Sequence, residues 1–292
     1  MSNRMGVFFY LASFVGVMVA ALQLHAVGML GPWFLVLVMT IGVLFSRLLA
    51  RLWPMPLFAE PPGETIRHVP FVIICTGANT LLGRPLMFVI AWWLAEFLPA
   101  TPARVVNSLP LWILFPACLL AFELMGYLQH RIVHRIDFFW RTFHCAHHEP
   151  TSYGTSLALR LHFFEYFLFQ LTRLLLLHAL QVDPATILLV ISISVWGGVL
   201  LHTDTGLKFG WVNHVITTPE THVWHHDADL RVNYTIGVLV IFDKLGGTFC
   251  YKPGEMPDQI GIRGWRSRGL LDALLCRSGP PPRAADGPGR SD

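Results

Sequence analysis

The sequence predicts an all-α integral membrane protein, with about four transmembrane helices, a hairpin that dips into the bilayer and a cytoplasmic helical cap carrying grouped histidines. Three observations predict it. Only 13% of the 292 residues are charged and 54% are apolar, with a mean hydropathy of +0.53, whereas a soluble domain usually carries about 25% charge. Apolar runs near the roughly 20 residues that cross a bilayer recur along the chain. Nine histidines, eight of them in three groups at helical spacing and one single, sit beside and after those runs.

The runs cover residues 7–24, 27–49, 69–98 and 109–128. The first follows Arg4, but a second span comes at once, which fits an uncleaved anchor better than a secretory signal. The third is interrupted by Gly83-Arg84-Pro85 and reads either as one tilted, broken span or as two half-helices. A fifth apolar region, 163–180 then 185–201, is split by Gln181-Val182-Asp183-Pro184 and reads as a hairpin that enters the membrane and returns. Arg47, Arg51 and Arg67 place the 46–68 loop on the cytoplasmic side, with the N-terminus and everything after His130, including Lys252, Arg263, Arg266, Arg268 and Arg277. The expected organisation is a transmembrane region over 1–129, a histidine-bearing region over 130–260 that includes the hairpin 163–201, and a tail over 261–292, disordered from about Ser278. The membrane is a bacterial inner membrane or the endoplasmic reticulum. A net charge of +3 gives no reason to invoke nucleic acid. Cys75, Cys118, Cys145, Cys250 and Cys276 form no CxxC pair, and a reducing cytoplasm accounts for free thiols.

The histidines are His130-x3-His134, His144-x2-His147-His148, His202 and His222-x2-His225-His226. Residues three and four apart share one helical face, so each box is expected to present its rings as one patch. An apolar core would have to satisfy nine imidazoles by hydrogen bonds alone, and each failure costs about 1–3 kcal/mol. A metal site removes that cost. Imidazole suits Zn, Cu, Fe and Ni. No thiolate set is present, and an all-nitrogen site for two ions beside a lipid-facing cavity suits oxygen activation by iron. Zinc can replace the two iron ions in purified protein. Glu123 and Tyr127 lie on the same stripe as His130. An acid in a membrane helix is costly, and the useful role for Glu123 is to accept the second ring N–H of a ligand histidine. Asp204 and Asp243 are candidates for the same supporting shell.

The order HxxxH, HxxHH and a late HxxHH resembles the sterol desaturase / fatty acid hydroxylase superfamily of membrane di-iron enzymes, over roughly residues 121–251. Glu123-x3-Tyr127-x2-His130-Arg131-x2-His134 is similar to that family's first block, and Trp140-Arg141-x2-His144-x2-His147-His148 to its second. Arg160-x-His162-x2-Glu165 resembles its RxHPxE element, with Phe163 at the usual proline. His202-Thr203-Asp204 and Thr218-Pro219-x2-His222-x2-His225-His226 resemble the branch that contains alkylglycerol monooxygenase. Asn233-Tyr234 and the stretch from Phe242 to Phe249 look like its closing NYG and WDRLFGTF blocks, with Phe242 for Trp, Lys244 for Arg and Gly246 for Phe. The resemblance implies about four membrane helices under a cytoplasmic metal-holding cap. It implies ligand roles for His130, His134, His144, His147, His148, His222, His225 and His226, with His202 as a ninth, and supporting roles for Glu123, Asn233 and Asp243. Some relatives carry a second histidine beside the positions of His222 and His202, which leaves the coordination number at one iron open.

The expected activity is O2-dependent hydroxylation or desaturation of a C–H bond in a lipid drawn from the bilayer: fatty acyl, sterol or ether lipid. Neither an HPGG haem element nor a GxGxxG motif is present, so a separate reductase or electron carrier is expected as partner. The alternative is a membrane zinc hydrolase of lipid esters or amides, with Glu149 or Asp227 as base. His162, with Arg160 and Glu165, reads equally as metal-supporting or headgroup-binding. Arg84 and Glu96 read as pocket or interfacial residues. Trp53 and Trp92-Trp93 fit an aromatic belt. His68 reads as an interface residue, His178 as a satisfied buried histidine, Cys145 as a packed small residue, and His25 and His214 as uninvolved.

Overall fold

The computed structural model describes residues 2–61, 63–95, 97, 106–267 and 269–275. Glu96, Cys276 and the tail from Ser278 lie outside them, as does the side chain of His178. Seven long helices carry the fold: α1 (Asn3–Ala26), α2 (Pro32–Leu52), α3 (Glu64–Ala78), α4 (Arg84–Ala95), α5 (Leu111–Arg135), α6 (Phe163–Ala179) and α7 (Pro184–Leu201). Among the described residues no strand forms, only four isolated β-bridges. Five stretches are long and apolar enough to cross a membrane: α1, α2, residues Glu64–Leu94, α5 and α7.

Helix ends follow local chemistry. The Ser2 side chain accepts from Met5 N to cap α1, and Asp183 accepts from Thr186 N to cap α7, which opens on Pro184. The interrupted third run is one continuous helix rather than two half-helices. α3 passes into α4 through a π-helical turn, Asn79–Gly83. That wide turn lies just before Pro85, whose ring would press on the Leu81 carbonyl in a regular α-helix. Arg84 at this junction is exposed.

The predicted hairpin is α6 and α7. Asn107 pins its tip, donating to Gln181 O at 2.8 Å and accepting from Asp183 N at 3.1 Å. The tip therefore meets the start of α5, the end opposite His130 and His134. The 17 residues of α6 are about 25 Å long. α7 is the central helix: 61% of its apolar window is buried, against 17–33% in the other four candidate spans. It packs on α2, α1 and α5. Gly42 of α2 faces Trp196 and Val199, and Tyr10, Phe34, Leu49, Trp196 and Leu200 share one core. The outer faces are apolar, with Phe8, Leu81, Phe88, Trp92 and Trp112 exposed, as lipid contact requires.

Two expectations are corrected here. Trp53 is buried against Gly6 in the α1–α2 core, and is not a belt residue. His68 is buried, with Nδ1 bonded to Ser156 Oγ at 2.7 Å, because α3 packs on the short helix Thr155–Leu159. The segments 261–267 and 269–275 also contribute packed residues. Ile262 and Ala273 are buried against Phe71 and Trp140, and Leu274 O accepts from His162 Nε2. The packing has no edge at 260.

Candidate metal centre

Helix ends bring the histidines together. His130 and His134 occupy the last turns of α5. The chain then forms a π-helical turn, Trp140–His144, and an α-turn, Cys145–His148. Wide turns of this kind concentrate at functional positions. His202 caps the C-terminus of α7. The short helix Pro219–His222 begins on a capping box made by Thr218 and Thr221, and its continuation in turns carries His225 and His226.

All nine rings converge, and they divide into two groups. His130, His134, His144, His148 and His225 form one; His147, His202, His222 and His226 form the other, and within each group the candidate ligand atoms lie within 4.8 Å of one another. The single patch expected from each box is therefore corrected. The i, i+4 pair His144/His148 serves the first group, and His147 between them serves the second. The i, i+4 pair His222/His226 serves the second, and His225 crosses to the first. The exchange makes the groups neighbours: the His148 and His226 rings stack with centroids 4.5 Å apart, and His147 and His226 lie at 4.9 Å.

Hydrogen bonds on the outer nitrogens decide what the inner ones can do. His144 Nδ1 meets Glu165 Oε1 at 2.7 Å, His130 Nδ1 meets Tyr234 O at 2.7 Å, and His225 Nδ1 meets Val232 O at 2.9 Å. A carbonyl only accepts, and a carboxylate does the same, so each Nδ1 is the donor and each Nε2 of the neutral ring is a bare lone pair. Yet His144 Nε2 lies 3.1 Å from His130 Nε2, with His134 Nε2 at 2.8 Å and His148 Nε2 at 3.1 Å. His225 Nε2 is buried with no partner. Bare lone pairs facing one another repel; a cation between them turns the arrangement favourable. The donor set fits a metal ion. In the second group, His202 Nε2 lies 3.2 Å from His222 Nε2 and 3.3 Å from His226 Nε2. Burial, the largest influence on each, holds His147, His148, His222 and His226 well below the ordinary imidazole range, and lowers His202 to about 4 and His225 to about 3. Neutral rings are the form that binds metal.

The supporting residues differ from expectation in one respect. Glu123 touches no ring. Its carboxylate accepts from Ser194 Oγ at 2.7 Å and from Val238 N at 2.8 Å, and so joins α5 to α7 and to the loop after them. Glu165, at the start of α6, is the acid that orients a histidine. Its signal was an acid opening an apolar run three residues after His162. Asn233 takes a left-handed φ of 54°, a conformation asparagine tolerates. Its side chain donates to Thr221 O and Cys250 O and accepts from Cys250 N, each at 2.7 Å. This bend presents the carbonyls of Val232 and Tyr234 to His225 and His130, two acceptors that side-chain motifs cannot announce. Asp243 accepts from Tyr234 N, Thr235 N and Thr248 Oγ1, supporting the same segment from behind. Asp204 is one step further out, where its carbonyl accepts from Met55 N. Gly246 is small for a reason: a Cβ there would lie 1.8 Å from the Tyr127 hydroxyl. His162 bonds the chain at Leu274, and Arg160 bonds Ala146 O and Glu149, so this element braces the second box. Cys145 is fully buried, and His214 is exposed, as expected.

The two bases of the hydrolase alternative are committed elsewhere. Glu149 accepts from Arg160 at 2.7 Å and from Ser267 N at 3.0 Å. Asp227 accepts from the backbone N–H groups of Asp229 and Leu230.

Comparison with known proteins agrees with this geometry. Residues 115–248 match the fatty acid hydroxylase family. The chain is 30% identical over 151 residues to the ornithine lipid hydroxylase OlsE of Rhizobium tropici, an alignment covering 51% of this chain and 45% of that one. It is 31% identical over 151 residues to alkylglycerol monooxygenase of Caenorhabditis elegans, covering 50% and 28%. It is 32% identical over 144 residues to cholesterol 25-hydroxylase of Rattus norvegicus, covering 47% and 46%. The chain thus spans less than half the length of each of these relatives. No solved structure matches it significantly. The matched segment holds every histidine of both groups, and over this segment the chain is similar to the fatty acid hydroxylase family.

Proposed function

We propose that the protein is a membrane-bound, non-haem di-iron oxygenase that hydroxylates a C–H bond of a lipid. One observation carries this reading: two adjoining sets of buried imidazoles converge, and in the first, acceptors behind three rings fix their tautomers and leave the inward nitrogens bare. His130, His134, His144, His148 and His225 would hold one ion, and His147, His202, His222 and His226 the other. Zinc can occupy the same rings in purified protein. When bound, the iron pair supplies activation of O2 for attack on an unactivated C–H bond. The balance is one lipid C–H, O2, two electrons and two protons giving the alcohol and water.

The chain's own residues do the rest. Glu165 holds His144, and the Asn233 bend, with Asp243 behind it, holds His130 and His225. Tyr153, fully buried beside His202 and His226, donates to Leu201 O and closes that side of the chamber to water. The matched relatives named above are hydroxylases or monooxygenases of lipids, which favours hydroxylation over desaturation. The basic residues of the 46–68 loop and the C-terminal region support a chamber at the cytoplasmic face, where a separate reductase or electron carrier would reach it.

The test is lipid profiling with iron-loaded full-length protein, an electron donor and O2. A lipid gaining one oxygen, only when all three are present, is expected. Anaerobic turnover by zinc-loaded protein would overturn the reading in favour of hydrolysis.

A further inference from the structure

We propose that Gln129 and Arg173 form a binding site for the polar linkage of the lipid substrate, and that this linkage carries both a carbonyl acceptor and an N–H donor, as an amide-linked acyl chain does. The proposal rests on the hydroxylase reading and adds the substrate class.

Arg173 lies on α6, within the apolar hairpin. Its guanidinium sits 4.7 Å from the Phe122 ring centre and 5.5 Å from that of Phe169, with its tip in the notch left by Gly126. A Cβ at Gly126 would lie 1.9 Å from Nη2, so glycine makes room for this group. Among the described residues Arg173 makes no hydrogen bond or ion pair, and Nε is buried without a partner. A charged donor left in apolar surroundings is costly unless something pairs with it.

Gln129 lies on α5, three residues past Gly126 and therefore on the neighbouring helical position. Its Nε2 donates to Leu168 O at 2.9 Å. That carbonyl can only accept, which fixes the amide orientation and leaves Oε1 as an acceptor, buried and without a partner. The two orphaned groups thus line the same α5–α6 seam, one a donor and one an acceptor. Both residues are partly exposed while Gln129 Oε1 and Arg173 Nε are themselves buried, so the linkage would meet these atoms by entering the seam from the bilayer. The seam is at the depth of the metal centre: Gln129 precedes His130, and the Phe169 ring that flanks Arg173 is 6.0 Å from the His130 ring.

The pair discriminates between linkages. An ester carbonyl would satisfy Arg173 and leave Gln129 Oε1 unmet. A carboxylate would satisfy Arg173 and repel Oε1, while the field of Glu123 already offsets part of the guanidinium charge. An amide meets both, with its oxygen toward Arg173 and its N–H toward Gln129.

The probes are N-ethylhexadecanamide, ethyl hexadecanoate and hexadecanoic acid, the first two differing only by N–H for O. Native mass spectrometry of the full-length protein in micelles reads their occupancy at matched concentration. The amide is expected to bind about tenfold more tightly than the ester, the cost of one unmet buried acceptor. Gln129→Leu should bring the amide down to the ester with little change in the ester, and Arg173→Met should weaken both. If Arg173→Met does not fold, the Gln129→Leu arm decides alone. A role for Arg173 confined to offsetting Glu123 would change the melting temperature and leave the amide preference intact. Equal occupancy, no binding of any probe, preference for the acid, or amide preference surviving Gln129→Leu would each overturn the proposal. Iron content and O2-dependent oxidation of lipid, measured on the same preparations, separate the two claims. Oxidation without linkage selectivity sinks this site alone, and selectivity without oxidation sinks the hydroxylase reading alone.

Discussion

The two histidine groups share one chamber but are built differently. In the first, His130, His144 and His225 are each held from behind by an acceptor at 2.7–2.9 Å. In the second, His222 Nδ1 is buried without a partner, the Arg160 backbone approaches His147 without closing a hydrogen bond to its buried Nδ1, and His202 Nδ1 reaches Gly198 O only at 3.5 Å. The first is therefore organised before any ion arrives, while the second is completed by the ion. Outer-shell partners of ligand histidines typically contribute about 10–100-fold in metal affinity or activity, so the two positions should differ in affinity although both are made of imidazole.

The largest effect tests the shared chamber. His144→Ala removes the ring that His130, His134 and His148 all face. Iron content should fall from two equivalents to one and lipid oxidation should drop below detection; two retained equivalents would break the assignment. Next comes the comparison itself. Chelator titration of the loaded protein should release iron in two steps separated by roughly 10–100-fold in chelator concentration, with the weaker step missing in His147→Ala. A single step would mean that the acceptors behind the rings contribute nothing.

Glu165→Leu sharpens the contrast from the other side. Losing the His144 acceptor should weaken the first ion by about 10–100-fold and merge the two steps. Asn233→Val should act more broadly and less strongly on metal. A β-branched residue resists the left-handed φ of 54°, at a cost of about 1–3 kcal/mol, visible as a lower melting temperature of the metal-free protein. The smallest effect on metal is expected from Glu123→Leu. It should lower stability by about 1–3 kcal/mol through the lost bonds to Ser194 and Val238, with both release steps unchanged. A shift in either step would return Glu123 to the metal's supporting shell.

The contrast between Glu123 and Glu165 shows where sequence reading stops. Both are acids beside histidine motifs in apolar helices. Spacing along α5 set Glu123 on the same stripe as His130, and this made it the natural partner. In the fold, α7 and the loop at Val238 reach that carboxylate first, while α6 brings Glu165 to His144 from 21 positions away. Trp53 and His68 were misplaced for the same reason: each sits at the end of an apolar run, where local pattern suggests the bilayer surface and packing against Gly6 or Ser156 puts it inside.

Local periodicity sufficed for the membrane helices, the hairpin and the eight boxed imidazoles, because length, hydropathy and i, i+4 spacing are properties of neighbouring residues; His202, which stands alone, was legible only through the family resemblance. The sharing of His147 and His225 between opposite groups, the two backbone carbonyls that set tautomers, and the orphaned pair on the α5–α6 seam depend on which distant surfaces meet. Those meetings are settled by the packing of α5, α6 and α7 around one another, and packing energy is summed over contacts that no stretch of chain contains alone.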